Sequence, residues 1–317
     1  MHVFTGTEGI PSEFRKAFIT IGNFDGVHLG HRFIFQKLIL EAHKENRKAL
    51  LVTFVPHPKM LLHPERRPFY LLTTIEEKIK LLEALGLDAL ILIPFTLEYA
   101  QTTAESFILD VLWKNFQVRK IFIGHDYRFG KDKRGDEDML TAFGKKLGFD
   151  VAVINAVAVG DTVISSTRIR AAILEGDVKT AAMLLGRPYN VSGTVIEGKR
   201  RGAALGFPTA NIKPNKELLP AKGVYAAIVN LEGKRYNGAL SIGLNPTFGD
   251  VQLSMEVHLM DFNGDIYGKY ADVLFIERIR GERKFPGPEM LSLQIKKDVE
   301  EARDILKSSV ANFPLSD

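Results

Sequence analysis

The chain has 317 residues, 45% hydrophobic and 25% charged, with a formal net charge of +4, a pI of about 9.0 and no cysteine. At roughly 150 residues per domain two domains are expected, each large enough to bury its own core. The lack of cysteine excludes disulfides, thiolate nucleophiles and cysteine-ligated zinc; the scattered basic residues form no stripe with interleaved aromatics, which argues against a nucleic-acid partner; and the longest apolar runs fall far short of a membrane span.

The opening residues, MHVFTGTEGIPSEFRK, contain no apolar signal core, so a cytoplasmic setting is expected. Apolar, β-rich runs follow at AFITIG, KALLVTF, DALILIPF, RKIFIG and DVAVINA. Helical periodicity fills the gaps at 30–43, 74–85, 104–113 and 137–147. Strands that are apolar nearly throughout and alternate with helices predict a doubly wound parallel sheet. Two short helices, 168–174 and 178–185, close this part, and Gly186 and Pro188 mark a boundary in LLGRPY. Beyond Tyr189 the pattern changes to short strands with Gly- and Asn-rich turns: NVSGTVIEG, GVYAAIVNLEGKRYNGALSIG, LSMEVHLMDF and KYADVLFIERI. A run of strands without helices predicts a small β-barrel, with a hairpin turn at Glu232-Gly233. A helix over 290–306 ends the chain, with Leu291, Ile295, Val299, Ala302 and Leu306 on one face.

In an open α/β sheet, ligands bind at the carboxyl ends of the strands. GNFDGVHLGH lies there after the first apolar run. Gly22, Gly26 and Gly30 admit a close backbone approach, and the helix that follows offers an anion-binding N-terminus. His28 and His31, three apart, share a side of that helix and suit hydrogen bonding to phosphate oxygens. A zinc pair is the alternative, but no third ligand of matching spacing accompanies them. ISSTRIR opens another helix, where Ser165, Ser166 or Thr167 supplies a cap and Arg168 a second phosphate contact. His57 in VPHP and Asp126, Arg128 and Phe129 in HDYRFG stand at two further strand ends.

In the second part, Thr209 and Asn211 of LGFPTANI present a hydroxyl and an amide oxygen on one face of an extended segment, hard ligands that suit Mg²⁺. Upstream, EGKRRGAALG resembles a phosphate-covering loop. In the alternating strand LSMEVHLMDF, Glu256 lies on the polar face, as a general base or as a solvated outer residue.

His-x-Gly-His with a downstream Ser-Ser-Thr-Arg resembles the nucleotidyltransferase superfamily signature. The form GNFDGVHLGH, PHP, GHDYRFG and ISSTRIR resembles the FMN adenylyltransferase module of bifunctional prokaryotic riboflavin kinase/FAD synthetases. GFPTANI, GVYAA, SIGLNPTF, MEVHLMDF, DIYG and IRGERKF occur in the order of the riboflavin kinase module. The resemblance covers nearly the whole chain. It implies an α/β nucleotidyltransferase domain at 1–186 and a six-stranded Greek-key barrel with a C-terminal helix at 187–317. It implies that the barrel phosphorylates riboflavin to FMN and the first domain adenylates FMN to FAD, both with ATP and Mg²⁺. On this basis Gly22, Asn23, Phe24, Asp25, Gly30, His57, Asp126, Ser166, Thr167 and Arg168 are expected to bind nucleotide or flavin beside His28 and His31. Lys199, Gly206 and Phe207 belong to the phosphate loop, Thr209 and Asn211 to the Mg²⁺ site, Glu256 is the base on the ribityl 5′-hydroxyl, and Arg280 lies near the flavin. Riboflavin, FMN and ATP are the expected partners, with no nucleic acid or membrane, in a monomer or weak homo-oligomer. One residue departs from the pattern: Ala203 follows Gly202 where the family more often has Arg. That leaves two alternatives, an FAD synthetase with a weakened kinase and a non-catalytic flavin-binding regulator.

Overall fold

The computed structural model describes residues 1–63, 65, 69–198, 201–247 and 250–309. Contacts divide the chain into two compact units, Met1–Ser165 and Ser166–Asp317.

The first unit contains strands β1 (His2–Thr5), β2 (Phe18–Ile21), β3 (Ala49–Val55), β4 (Ala89–Pro94), β5 (Lys120–Gly124) and β6 (Asp150–Ile154). They form one six-stranded sheet in the order β1-β4-β3-β2-β5-β6, and every pair is parallel. Successive residues point to opposite faces. Ile19, Ile21, Leu50, Val52, Ile91 and Ile121 enter one core; Phe18, Leu51, Leu90 and Phe122 enter the other. Both faces are covered, which explains why the strands read as continuous apolar runs.

Helix α1 (Leu29–Lys44) covers one face through Phe35, Leu38 and Ala42. After β3 come α2 (Pro58–Leu62) and α3 (Ile75–Glu83), the latter opened by a reciprocal capping box between Thr74 and Glu77. The segment expected as a helix over 104–113 begins as one turn, α4 (Ala104–Ser106), and continues in wider π-type turns over Phe107–Asn115. It packs on the opposite face with Leu140 of α5 (Glu137–Leu147). A two-residue hairpin, β7 (Ala158–Val159) and β8 (Thr162–Val163), ends the unit. Neither β1 nor this hairpin was expected from sequence. β1 is four residues on the sheet edge, mostly exposed, and carries no apolar run.

The second unit begins with α6 (Ser166–Glu175) and α7 (Val178–Leu185). Strands β9 (Tyr189–Ile196), β10 (Ala210–Pro214), β11 (Gly223–Leu231), β12 (Lys234–Thr247), β13 (Asp250–Leu259) and β14 (Tyr270–Gly281) close a barrel in the order β10-β13-β12-β11-β14-β9, every pair antiparallel. β11, β12 and β13 are successive neighbours and β14 returns beside β11, which is a Greek key. Glu232 and Gly233 both adopt left-handed φ, +50° and +77°, as a tight hairpin turn requires. A short turn, α8 (Arg201–Ala204), precedes β10, and α9 (Pro288–Ser309) follows β14. α9 starts earlier than its periodicity suggested because Pro288 is well placed in a first turn. Ala302 and Leu306, fully buried, seat it against Ala226, Ile228, Leu274 and Ile276.

The two units part between Ser165 and Ser166, whereas the sequence boundary was expected at 186/187. α7 packs on β14 and β9 and α6 packs on α7, so both helices group with the barrel. α7 lies on the barrel strands and α6 on α7, a relation that pattern alone does not reveal.

Candidate functional site

From β2 the chain runs to β3 on one side and, after β4, crosses to β5 on the other, so the loops after β2 and β5 diverge. Such a switch point opens a crevice at the carboxyl ends of the strands. Residues 22–28 lie there. Phe24, Gly26 and Val27 have φ of +45°, +90° and +43°. Left-handed backbone costs a non-glycine residue on the order of 1–2 kcal/mol, so this loop is held by its surroundings. Asp25, 2% exposed, turns inward: its carboxylate accepts from the Leu72 amide at 3.0 Å and the Thr73 amide at 3.2 Å. Lys78 Nζ donates to the Asn23 carbonyl at 2.7 Å, and Thr53 Oγ1 to the same oxygen at 3.3 Å. Burial pulls the Lys78 ammonium below the usual lysine range, against the Asp25 charge that supports it. Asn23 Oδ1 is buried and has no hydrogen-bond partner among the described residues.

His28 caps α1, its Nδ1 accepting from the His31 amide at 3.3 Å. That bond selects the tautomer with the proton on Nε2. The His28 and His31 rings stack with centroids 3.4 Å apart, and Phe24 meets His31 edge-on at 5.1 Å. A side chain on Gly30 would sit 3.3 Å from the His28 ring, and one on Gly22 would meet Phe24 at 2.9 Å. His57 caps α2 through the Lys59 amide at 3.1 Å and packs on Phe69 at 4.7 Å. Asp126 is exposed just past β5. Ile164 lies beside Gly30 at the start of α1, and Ser166, Thr167 and Arg168 form the first turn of α6 in the second unit.

The sequence reading missed an aromatic wall at the carboxyl ends of β3, β4 and β5. Phe54, Phe95 and Tyr99 have centroids within 6.2 Å of one another, and Tyr127 stacks on Phe129 at 5.6 Å. The Tyr99 and Tyr127 hydroxyls are buried without partners among the described residues, and burial pushes both phenols up, Tyr99 to about 12. The aromatic positions just past three strand ends were the available signal.

In the barrel, register gathers the expected residues. Asn211 pairs with Glu256 of β13, and Thr209 Oγ1 donates to Glu256 Oε2 at 3.5 Å. The loop before β10 folds back over them. The Phe207 amide donates to the Gly202 carbonyl at 2.8 Å, and a side chain on Gly198 would collide with the Asn211 amide at 1.9 Å. Gly206, at φ +86°, turns the chain out of α8, and Ala203 is exposed. Phe207 meets His258 edge-on at 5.6 Å. Lys199 lies outside the described residues. A cavity of about 340 Å³ adjoins Thr209, lined by Val195, Pro208, Val257, Phe262, Ile266 and Tyr267 among others. DIYG in its 262–267 wall belongs to the run of kinase-module motifs, but no residue of that wall was given a site role from sequence.

Arg280 was expected near the flavin. Its guanidinium binds Asp298 of α9, Nη2 to Oδ2 at 2.6 Å and Nε to Oδ1 at 2.9 Å, with Gln294 Nε2 also donating to Asp298 at 2.9 Å. Asp298 is 4% exposed, and a buried carboxylate needs such a fork. Sequence placed Arg280 by motif and had no view of α9 against the barrel.

The family model described as FAD synthetase matches residues 10–168, and that described as riboflavin kinase matches residues 185–306. Bifunctional riboflavin kinase/FMN adenylyltransferases of Escherichia coli (strain K12) and Haemophilus influenzae are each 37% identical, covering 90% and 97% of this chain and 91% and 100% of theirs. The chain belongs to the bifunctional riboflavin kinase/FMN adenylyltransferase family. A relative from Bacillus subtilis with the same description is 37% identical over 92% of this chain and 93% of its own length. A crystal structure described as a macrolide-efflux protein from Streptococcus pneumoniae superposes with a TM-score of 0.87 at 33% identity, covering 96% of this chain and 99% of that one. No helix among the described residues is long and apolar enough to cross a membrane. In this bifunctional enzyme the amino-terminal part is the FAD synthetase and the carboxyl-terminal part the riboflavin kinase, so ATP, riboflavin, FMN and FAD are its substrates and products.

Proposed function

We propose that adenylyl transfer takes place at the β2–α1 loop and phosphoryl transfer at the β10–β13 seam. In the first reaction an FMN phosphate oxygen bonds to the α-phosphorus of ATP, and pyrophosphate leaves with the electrons of the broken bridge bond. His28, as a cap whose Nδ1 is already an acceptor, offers its Nε2–H to a phosphate oxygen, and His31 stacked on it offers the second contact. Asn23 Oδ1, a buried acceptor without a partner among the described residues, suits a hydroxyl or amine of the nucleotide. The wall of Phe54, Phe95, Tyr99, Tyr127 and Phe129 suits a flat tricyclic ring, and its two phenols suit that ring's polar edge. Gly22, Phe24, Asp25 and Gly30 shape the loop; His57, Asp126, Ser166, Thr167 and Arg168 are the further nucleotide contacts.

In the second reaction the ribityl 5′-hydroxyl bonds to the γ-phosphorus, its proton passes to Glu256 and ADP leaves. Thr209 and Asn211 are neutral hard oxygen donors beside a single carboxylate. This set fits Mg²⁺ held mainly by phosphate oxygens and water, and the ion would neutralise charge on the transferring phosphate. The adjoining cavity, with Phe262 and Tyr267 in its wall, fits the ATP base. Gly206, Phe207 and the loop that carries Lys199 cover the phosphates. The domains proposed are 1–186 and 187–317.

The convergence of Thr209, Asn211 and Glu256 on one barrel seam, in the unit that does not contain the histidine pair, carries the reading of two separate active sites. The test incubates the protein with riboflavin, ATP and Mg²⁺ and resolves flavins by chromatography. His28→Ala stops FAD and spares FMN; Glu256→Gln stops FMN but still converts added FMN to FAD. Equal damage to both activities by either folded variant overturns the assignment.

A further inference from the structure

The β2–α1 loop carries three left-handed residues, Phe24, Gly26 and Val27, within four positions, so its own backbone does not favour the shape it holds. Beside the Thr53 hydroxyl, which donates to the Asn23 carbonyl, a set of ties to the loop comes from one short stretch, Leu72 to Lys78. Leu72 and Thr73 donate both amides to Asp25, Thr73 Oγ1 accepts from the Gly26 amide at 3.2 Å, and Lys78 Nζ reaches the Asn23 carbonyl at 2.7 Å. That stretch is itself rigid, because the Thr74–Glu77 capping box fixes the start of α3. Asp25, Thr73 and Lys78 are 2%, 3% and 8% exposed, so water competes little for these bonds. An ammonium kept buried to grip a backbone carbonyl is costly. Burial pulls its proton affinity down, yet from α3 it reaches the loop that ends at His28.

We infer that Lys78 and Thr73 are positioning residues for adenylyl transfer, gripping Asn23 and Gly26 so that His28 and His31 meet the phosphate in place. The inference rests on the reading that His28 and His31 act on the ATP phosphates. Neither side chain needs to touch the substrate. Each acts through the loop backbone, and a displacement near 1 Å at such a distance lowers turnover by up to about 10²-fold.

The full-length chain contains its own controls. Its single tryptophan, Trp113, lies in the first unit, so its fluorescence during urea titration reports folding of that unit alone. The riboflavin kinase activity reports on the other unit. Lys78→Met is expected to lower kcat for FAD formation roughly 10- to 100-fold, with KM for FMN and the kinase rate unchanged. Lys78→Arg, which keeps a charged donor, is expected to recover part of the loss. If Lys78→Met loses the Trp113 transition, the near-isosteric Thr73→Val decides, with an expected kcat loss of several-fold from losing both Oγ1 bonds, the one accepted from the Gly26 amide and the one donated to Asp25. Wild-type kcat in either folded variant, or a change confined to KM, overturns the inference. His28→Ala separates the two levels. If it leaves FAD formation intact, the histidine reading fails. If it stops FAD formation while Lys78→Met and Thr73→Val are folded and fully active, only the positioning inference fails.

Discussion

The two sites proposed for this enzyme are built in opposite ways. The site proposed for adenylyl transfer stands on a loop, residues 22–28, whose backbone is strained at Phe24 and Val27 and whose shape is held by buried polar ties to Leu72, Thr73 and Lys78. The site proposed for the kinase reaction stands on a sheet. Asn211 and Glu256 are cross-strand partners of β10 and β13, and Thr209 is one residue before β10. Ladder hydrogen bonds hold those side chains in register, so no separate brace is needed. A loop-built site is sensitive to residues that touch no substrate; a sheet-built site is sensitive chiefly to the residues that do.

Glu256→Gln is the sharpest probe of the sheet-built site. Removing the proposed general base while keeping the side-chain shape is expected to slow FMN formation about 10²- to 10⁴-fold, read by chromatography of the flavins, with the barrel still folded. Glycine substitutions compare the two kinds of construction directly. At Gly198 an added Cβ would lie 1.9 Å from the Asn211 amide, and at Gly22 one would lie 2.9 Å from the Phe24 ring that packs on His31. Gly198→Ala is expected to slow only the kinase and Gly22→Ala only FAD formation, each by roughly tenfold or more because a reacting group is displaced. Loss of both activities from one substitution would mean that the sites are not independent.

Arg280→Met tests position against chemistry. Breaking a largely buried fork to Asp298 is expected to destabilise the barrel unit by about 3 kcal/mol, seen as a lower melting temperature, with KM for riboflavin unchanged. A raised KM without loss of stability would return Arg280 to the flavin. The smallest effect is expected at Ala203, exposed on the covering loop. Ala203→Arg adds a cation toward the phosphates and is expected to lower KM for ATP in the kinase reaction a few-fold, as about 0.5–1 kcal/mol from an exposed charge implies. An unchanged KM would show that the alanine costs the kinase nothing.

The order of elements, the parallel character of the first sheet and the succession of barrel strands were legible in the sequence, because burial on both faces writes continuous apolar runs and hairpins write Gly-rich turns. The proximity of His28 to His31, and of Thr209 and Asn211 to Glu256, is what the structure adds to residues that the sequence named as candidates, since phosphate and Mg²⁺ chemistry restricts the residue types that serve it. Tertiary structure alone decided that Asp25 faces inward to the Leu72 and Thr73 amides, that Arg280 serves α9, and that α6 and α7 lie against the barrel. It also brought Phe54, Phe95 and Tyr99 together and stacked Tyr127 on Phe129. Apart from that last stack, each of these depends on a partner 18 or more residues away in the chain, or on which of two surfaces an apolar helix face covers. A sequence pattern records that a residue is buried or charged; the partner that meets its charge or covers its surface is chosen only when the chain folds.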